Sequence, residues 1–283
     1  MITSRTGLLG VIGYPVEHSS SPAMHNAALA RTELDFAYLP FAVPPDRVAG
    51  VPMAMRTLGI RGLNVTVPHK VAVMEGLDEI SEEARAIGAV NTIANRDGHL
   101  TGYNTDAEGV IASLRADGGL DVLPEAVALL GAGGAARAIL YALLQAAEVK
   151  EVTLHNRTLE KAEALAADLD PGSRRVRVGT PGMGPAFREA GLLINATSVG
   201  MHPGPEASPL PDPSVLHDRL TVLDIVYKPR RTRLLAQAEE AGAATVDGLG
   251  MLVHQGARAF EIWTGVPAPV EEMKQALLRR VEP

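Results

Sequence analysis

Residues 127–144, VALLGAGGAARAILYALL, decide the fold. Val127 to Leu130 form a short apolar run of strand type. Gly131, Gly133 and Gly134 follow, and the chain passes directly into an Ala/Leu-rich helical pattern. Strand, glycine turn and helix in that order make a dinucleotide-binding turn. Gly131 permits the tight turn, and Gly133 lets the backbone approach a pyrophosphate. The N–H groups of Gly131, Ala132, Gly133, Gly134 and Ala135 that open the helix receive its charge. Ala136 stands where a third glycine is common, and alanine is tolerated because that position only has to let helix and strand pack closely.

A second strand pattern, Glu151 to His155, ends in Asn156, Arg157 and Thr158. A site for NAD usually places an acidic side chain here, on the ribose hydroxyls. This chain offers an amide, a guanidinium and a hydroxyl instead. An acid would repel the 2′-phosphate of NADP, whereas Arg157 pairs with it and Asn156 and Thr158 donate hydrogen bonds. The expected cofactor is NADP.

The length of 283 residues fits two domains, and 46% hydrophobic content supplies both with cores. Only 4% of residues are aromatic, so packing must rest on Ala, Val, Leu and Ile. The formal charge of −7, with no basic block, argues against nucleic acid as a partner. The chain has no Cys, which excludes disulfides, thiolate catalysis and cysteine-held metals. No HExxH or comparable ligand spacing occurs, so no metal is expected. No apolar run approaches the roughly 20 residues that span a bilayer, and the start lacks a signal-peptide pattern. The expectation is a cytoplasmic protein without a membrane partner.

The first hundred residues alternate between strand-like and helix-like segments: Leu8 to Ile12, a helix from Pro22, Phe36 to Val43, a helix over Asp46 to Leu58, and Gly62 to Val67. Val90 to Asn95 and His99 to Tyr103 flank Arg96-Asp97-Gly98 and read as a hairpin, so the sheet should be mixed.

Three polar loops interrupt this pattern. In GYPVEHSSSP, Ser21 suits the N-cap and Pro22 the first helical position. A capped helix is the simpler reading of this loop alone, and the alternative is that Ser19 and Ser21, together with the helix N-terminus, hold a small carboxylate. In NVTVPHK, alternation directs Asn64 and Thr66 to a shared edge and Val65 and Val67 to the core. Lys70 follows the strand end, and position alone does not mark it as catalytic. In GAVNT and GYNTD, helix capping accounts for Asp106 but not for two Asn-Thr pairs, Asn91-Thr92 and Asn104-Thr105, at neighbouring strand ends.

The ordered set GYPVEHSSSP, NVTVPHK, GAVNT, GYNTD, GAGGAAR, NRT, NATSVGM and DGLGMLVHQ resembles the shikimate dehydrogenase family over almost the whole chain. The resemblance implies reversible, NADP-dependent hydride transfer between 3-dehydroshikimate and shikimate, in the making of aromatic amino acids. It implies that Lys70 and Asp106 form the catalytic pair. Ser19 and Ser21 then take the substrate carboxylate, and Thr66, Asn91 and Asp106 contact ring hydroxyls. By the same match Thr197, Ile225 and Gly248 lie against the cofactor, while Tyr227 and Gln255 reach the substrate. Residue type alone leaves Tyr227 as packing, and the alternative for Gln255 is a cap of backbone groups.

The remaining pattern continues the α/β alternation: a helix over Leu159 to Asp168, the turn Asp170-Pro171-Gly172, and a strand over Val176 to Val178. Strands over Leu192 to Ala196 and Thr221 to Val226 follow, with an exposed loop from Met201 to Pro213 between them. A helix over Arg231 to Ala241, the strand Ala244 to Val246, and helices over Met251 to Trp263 and Val270 to Val281 complete the chain. The expected fold is α/β: a discontinuous mixed-sheet substrate domain (1–106 and 251–283) and a Rossmann-type doubly wound NADP domain (107–250), with the cleft between the lobes. Domain closure is expected to use the links Thr105 to Ala107 and Val246 to Gly248. Alternatives are a quinate-accepting or NAD-linked dehydrogenase, or a non-catalytic sensor of the same metabolites. The expected state is a monomer or homodimer.

Overall fold

The glycine turn does lead from a buried strand into a helix, in a computed structural model that describes residues 2–172, 174–179, 185–210 and 212–281. The chain divides into two units, Met1–Gly109 with Val253–Pro283, and Val110–Leu252.

In the first unit, in chain order, β1 spans Gly7–Gly13, α1 Ser21–Arg31, β2 Phe36–Ala42, α2 Val51–Leu58, β3 Gly62–Val65, β4 Glu79–Ile80, α3 Glu82–Ile87, β5 Thr92–Arg96, β6 His99–Tyr103 and α4 Asp106–Ala116. Their sheet is mixed, in the order β2-β1-β3-β5-β6-β4. β1 runs parallel to β2 and β3, whereas β5 is antiparallel to both β3 and β6. The hairpin closes with Arg96 paired to His99, and φ is +53° at Asp97 and +91° at Gly98. Positive φ at both central residues makes the type I′ turn, whose twist matches that of the strands.

Three expectations for this unit change. The helix expected over Asp46 to Leu58 splits into a 3-10 turn, Pro45–Gly50, and the shorter α2. Ser20, not Ser21, is the N-cap of α1, and its side chain makes no capping bond; the preceding Ser19 Oγ accepts from Ser21 N at 3.3 Å instead. Val67 does not face the core but is 70% exposed, because β3 stops at Val65 and the chain turns at Pro68.

The core of this unit gathers Ile12, Met55, Leu63, Val65, Ile93 and Leu100. Beside it His25 is fully buried, stacked on Tyr38 with ring centroids 4.3 Å apart, and neither ring nitrogen has a hydrogen-bond partner among the described residues. Burial, only partly opposed by neighbouring Asn64, disfavours the imidazolium, and the pKa of His25 falls to about 3. The neutral ring is therefore the folded form. The unfolded chain takes up a proton at the ordinary histidine value, so stability is lost as pH falls from about 6.5 toward about 3, by on the order of 5 kcal/mol from this group. His25→Phe, which keeps the stacking, is expected to flatten this acid limb in urea unfolding midpoints taken between pH 7.5 and 4.5. An unchanged slope would place the acid sensitivity elsewhere.

In the second unit, β7 spans Ala126–Leu130, α5 Gly134–Gln145, β8 Glu151–His155, α6 Leu159–Leu169, β9 Val176–Val178, α7 Pro185–Glu189, β10 Leu192–Asn195, β11 Thr221–Asp224, α8 Arg233–Glu240 and β12 Ala244–Val246. All six strands are parallel, in the order β12-β11-β10-β7-β8-β9. This is the doubly wound Rossmann arrangement, with its switch of strand order at the β10–β7 pair. β10 and β11 are buried throughout and β7 is nearly so, as expected of a sheet covered on both faces. β11 ends at Asp224 and α8 begins only at Arg233, each shorter than its sequence pattern, because Asp224 and Thr232 turn their side chains to local backbone groups. Of the expected loop Met201 to Pro213, Pro211 lies outside the described residues.

The chain closes with α9, Leu249–Thr264, and α10, Val270–Val281. Both crossings between the units fall inside helices, at 109/110 in α4 and 252/253 in α9. No helix among the described residues is long and apolar enough to cross a membrane.

Candidate active site

The first sheet brings its polar loops to one edge. Ser19 and Ser21 follow the carboxyl end of β1, and Thr66 and Lys70 follow that of β3, its parallel neighbour. β5 is antiparallel, so Asn91 just before it lies at the same edge, and so does Asp106 beyond the carboxyl end of β6.

At that edge Lys70 Nζ donates to Asp106 Oδ2 at 2.5 Å, with the two side chains 15% and 8% exposed. The surroundings hold the pair in place. Next to Lys70, His69 is buried and its Nε2 lies 2.7 Å from Val43 O, which makes it a packing residue. The Lys70 carbonyl accepts from Val90 N at 2.8 Å, tying this loop to the segment that leads into Asn91. Asp106 is spared the capping role, because Asn104 Oδ1 accepts from Asp106 N at 3.0 Å. Its second oxygen, Oδ1, instead accepts from Asn91 Nδ2 at 2.8 Å.

Asn91 is itself fully engaged. Its Oδ1 accepts from Thr105 N at 2.8 Å and from Thr92 Oγ1 at 3.0 Å, and its Nδ2 also donates to Thr105 Oγ1 at 3.0 Å. These bonds fix which end of the amide faces Asp106. Asn64, read from sequence only as an edge residue, extends the network. Its Nδ2 donates to Thr92 Oγ1 at 3.2 Å and its Oδ1 accepts from Tyr38 O–H at 2.7 Å. Burial, the larger effect, raises the Tyr38 pKa well above the ordinary value, with nearby Ser21 opposing it. A continuous polar chain thus runs from Tyr38 through Asn64, Thr92 and Asn91 to Asp106 and Lys70. Its members come from separate strands and loops, so each bond sets the orientation of the next.

Gln255 enters from α9. A Cβ at Gly109 would lie 2.9 Å from both Gln255 N and Gln255 Cβ, so the glycine lets α9 approach α4 one turn beyond Asp106. Thr66 packs against Gly13, where a Cβ would overlap its methyl group.

The second sheet gathers another group at the carboxyl ends of its parallel strands. Gly131 follows β7, Asn156 to Thr158 follow β8, Thr197 follows β10, Ile225 and Tyr227 follow β11 and Gly248 follows β12. Ligands of open α/β sheets bind at this edge, near the switch point. Gly131 has φ +112°, and a Cβ there would lie 2.9 Å from Ala196 O, so the fold itself requires glycine. Gly133 differs. Its φ of −90° suits any residue, and an added Cβ would meet nothing within 4 Å. Neither strain nor packing calls for glycine there, which fits the close approach of a pyrophosphate. Gly133 is also the N-cap of α5 and brings no side chain to the first N–H groups, which stay open to an anion.

Asn156 Nδ2 donates to Thr158 O at 2.8 Å, bracing the loop that carries the exposed Arg157. Thr197 is held by Asn195, whose Oδ1 accepts from Thr197 N at 3.0 Å and from Thr197 Oγ1 at 2.7 Å. A Cβ at Gly248 would overlap the Ile225 carbonyl, so its lack of a side chain already has a cause within the fold, and it seats β12 against the end of β11. Tyr227 is partly buried. Sequence reasoning missed Asp224. The signal was an acidic residue ending an otherwise apolar strand.

The described residues contain no group of three His, Cys, Asp or Glu side chains able to hold a metal. The backbone turn at Gly131 to Ala135, with Arg157 beside it, has instead the donor set of a site for a phosphorylated dinucleotide.

Comparison with known proteins agrees with this geometry. Residues 11–93 match the family model for the shikimate dehydrogenase substrate binding domain, residues 117–202 that for shikimate / quinate 5-dehydrogenase, and residues 248–278 that for the shikimate 5′-dehydrogenase C-terminal domain. The shikimate dehydrogenase (NADP(+)) of Methanopyrus kandleri is 47% identical over 99% of this chain and 98% of its own. The crystal structure of the Thermus thermophilus shikimate 5-dehydrogenase with NADP(H) and shikimate superimposes with a TM-score of 0.87 at 39% identity, covering 96% of this chain and 99% of that one. The quinate dehydrogenase of Corynebacterium glutamicum, in complex with NAD, gives 0.88 at 33% identity, over 97% and 99%. With all three models matched in order and near-complete coverage by these relatives, the chain belongs to the shikimate dehydrogenase (NADP+) family of oxidoreductases.

Proposed function

We propose that this chain catalyses the reversible, NADPH-dependent reduction of 3-dehydroshikimate to shikimate, with Lys70 and Asp106 handling the proton. The contact between Lys70 Nζ and Asp106 Oδ2, at the edge where the substrate-side loops collect, carries the reading. NADPH, when bound, supplies the hydride to the carbonyl carbon. Lys70 delivers a proton to the oxygen of that carbonyl as it becomes a hydroxyl, and takes it back in the oxidative direction. Asp106 accepts from the reacting hydroxyl and holds the ammonium, itself held by Asn91. A ring hydroxyl engages Asn91 by displacing its contact with Thr105.

Ser19 and Ser21, at the start of α1, receive the substrate carboxylate, helped by the helix N-terminus. Thr66, Tyr227 and Gln255 complete the substrate set. A site that pairs several hydroxyls leaves buried polar groups unsatisfied when an analogue lacks one, which makes it selective. The turn Gly131, Ala132, Gly133, Gly134 and Ala135 takes the pyrophosphate. Asn156, Arg157 and Thr158 take the 2′-phosphate and ribose, and Thr197, Ile225 and Gly248 line the nicotinamide end. The enzyme acts in the cytoplasm as a monomer or homodimer.

The test is NADPH formation from shikimate and NADP+, followed by absorbance with purified protein, with parallel reactions containing quinate or NAD. Shikimate with NADP+ is expected to give the fastest turnover. Faster quinate oxidation would move the chain to the quinate branch, and no turnover with either polyol would favour a metabolite sensor.

A further inference from the structure

The carboxyl edge of the second sheet holds a buried carboxylate for which the proton chemistry has no use. Asp224, the last residue of β11, is 0% exposed. Its Oδ1 accepts from Asn195 Nδ2 at 2.8 Å and from Val226 N at 3.0 Å, and its Oδ2 accepts from Thr232 Oγ1 at 2.7 Å. Among the described residues no Lys, Arg or His forms an ion pair with it. A carboxylate in such a place is costly, so its three partners need a reason to be there.

The partners cannot be rearranged without loss. Asn195 Oδ1 is committed to Thr197 N and Thr197 Oγ1, so its Nδ2 must face Asp224. Thr232 Oγ1 accepts from Leu235 N at 3.3 Å as the N-cap of α8 and gives its single proton to Asp224. Every neighbour therefore presents a donor, the arrangement that suits an ionised acceptor. Burial raises the pKa of Asp224 to about 6, against the pull of these bonds, which still leaves the ionised form in the majority at neutral pH. One side chain thus joins the exit of β10, the exit of β11 and the start of α8. Thr197 lies one bond away through Asn195. Ile225 lies between Asp224 and Val226, with its N donating to Asn195 O at 3.1 Å.

We propose that Asp224 is a positioning residue that sets Thr197 and Ile225 for the nicotinamide end of NADP, and that Thr232 acts with it by filling Oδ2. This rests on the cofactor assignment above and adds a residue that touches neither substrate nor nucleotide. Its reach is local. The turn at Gly131 to Ala135 and the loop at Arg157 share no hydrogen bond with Asp224, so the adenosine end of the site should not depend on it.

Two probes separate the ends: NADP+, and 2′,5′-ADP, which carries the adenosine and 2′-phosphate without nicotinamide. Calorimetric titration of the full-length chain with each is expected to show the Kd for NADP+ rising about tenfold in Asp224→Asn, consistent with the loss of one hydrogen bond to a charged group. The Kd for 2′,5′-ADP should stay within about twofold. Thr232→Val, which keeps the charge but removes the donor to Oδ2, should give the same split, and Thr232→Ser should restore it. A merely structural role predicts parallel weakening of both probes, and that result, or no change in either, overturns the proposal. Should Asp224→Asn not fold, the Thr232 pair decides alone. Failure of the unmodified chain to bind either probe would instead sink the cofactor assignment.

Discussion

Lys70→Ala is expected to lower kcat for shikimate oxidation about 10²- to 10⁴-fold while moving the KM for shikimate little, the range over which a positioned acid or base acts. The expectation follows from geometry. Lys70 Nζ stands 2.5 Å from a carboxylate that is itself held by Asn91, so the proposed proton carrier has a fixed address at the sheet edge. Removing it takes away the proposed proton donor of the reductive direction and leaves Asp106, 8% exposed, without its cation. Lys70→Met keeps the stem and drops the charge, and retention of the wild-type circular dichroism spectrum by both variants separates lost chemistry from lost folding. An unchanged kcat with a raised KM would reassign Lys70 to substrate binding alone.

Arg157→Ala is expected to cut kcat/KM for NADP by about 10- to 10²-fold and to leave the value for NAD unchanged, since a charge-assisted hydrogen bond contributes roughly 1.5–3 kcal/mol. Arg157 is exposed, on a loop braced by the bond from Asn156 to Thr158. The guanidinium is therefore accessible to a phosphate, but also to salt. The penalty should shrink as ionic strength rises, because screening already weakens the contact in the parent chain. Equal preference for the two nucleotides before and after the substitution would refute the assignment of the 2′-phosphate.

What could be read in the sequence was what is encoded locally. The turn at Gly131 needs a positive φ, and the hairpin at Asp97-Gly98 needs two in succession; both requirements show in residue type. Strands β7, β10 and β11 could be recognised as short apolar runs, because a sheet covered on both faces leaves no alternation to misjudge. Asn64 and Asp224 were harder. Each looks like an ordinary polar residue near a strand end, and its part emerges only when strand order brings Thr92 beside one and Asn195 beside the other. Val67 misled for a related reason: alternation continues on paper past Val65, but the ladder stops there. The two-residue β4 is too short to leave any period in the sequence.

Trp263 is the only tryptophan in the chain. It is buried in the first unit, with its indole N–H on Ile93 O at 2.9 Å and its ring 5.3 Å from that of His25. Emission excited at the red edge of the absorption band therefore reports from one half of the molecule only. Loss of order around Gly131 should pass without changing that light, while the substrate half signals its own melting. Comparing the fluorescence transition with one followed by circular dichroism would show whether the halves unfold together, using no label beyond what the gene already encodes.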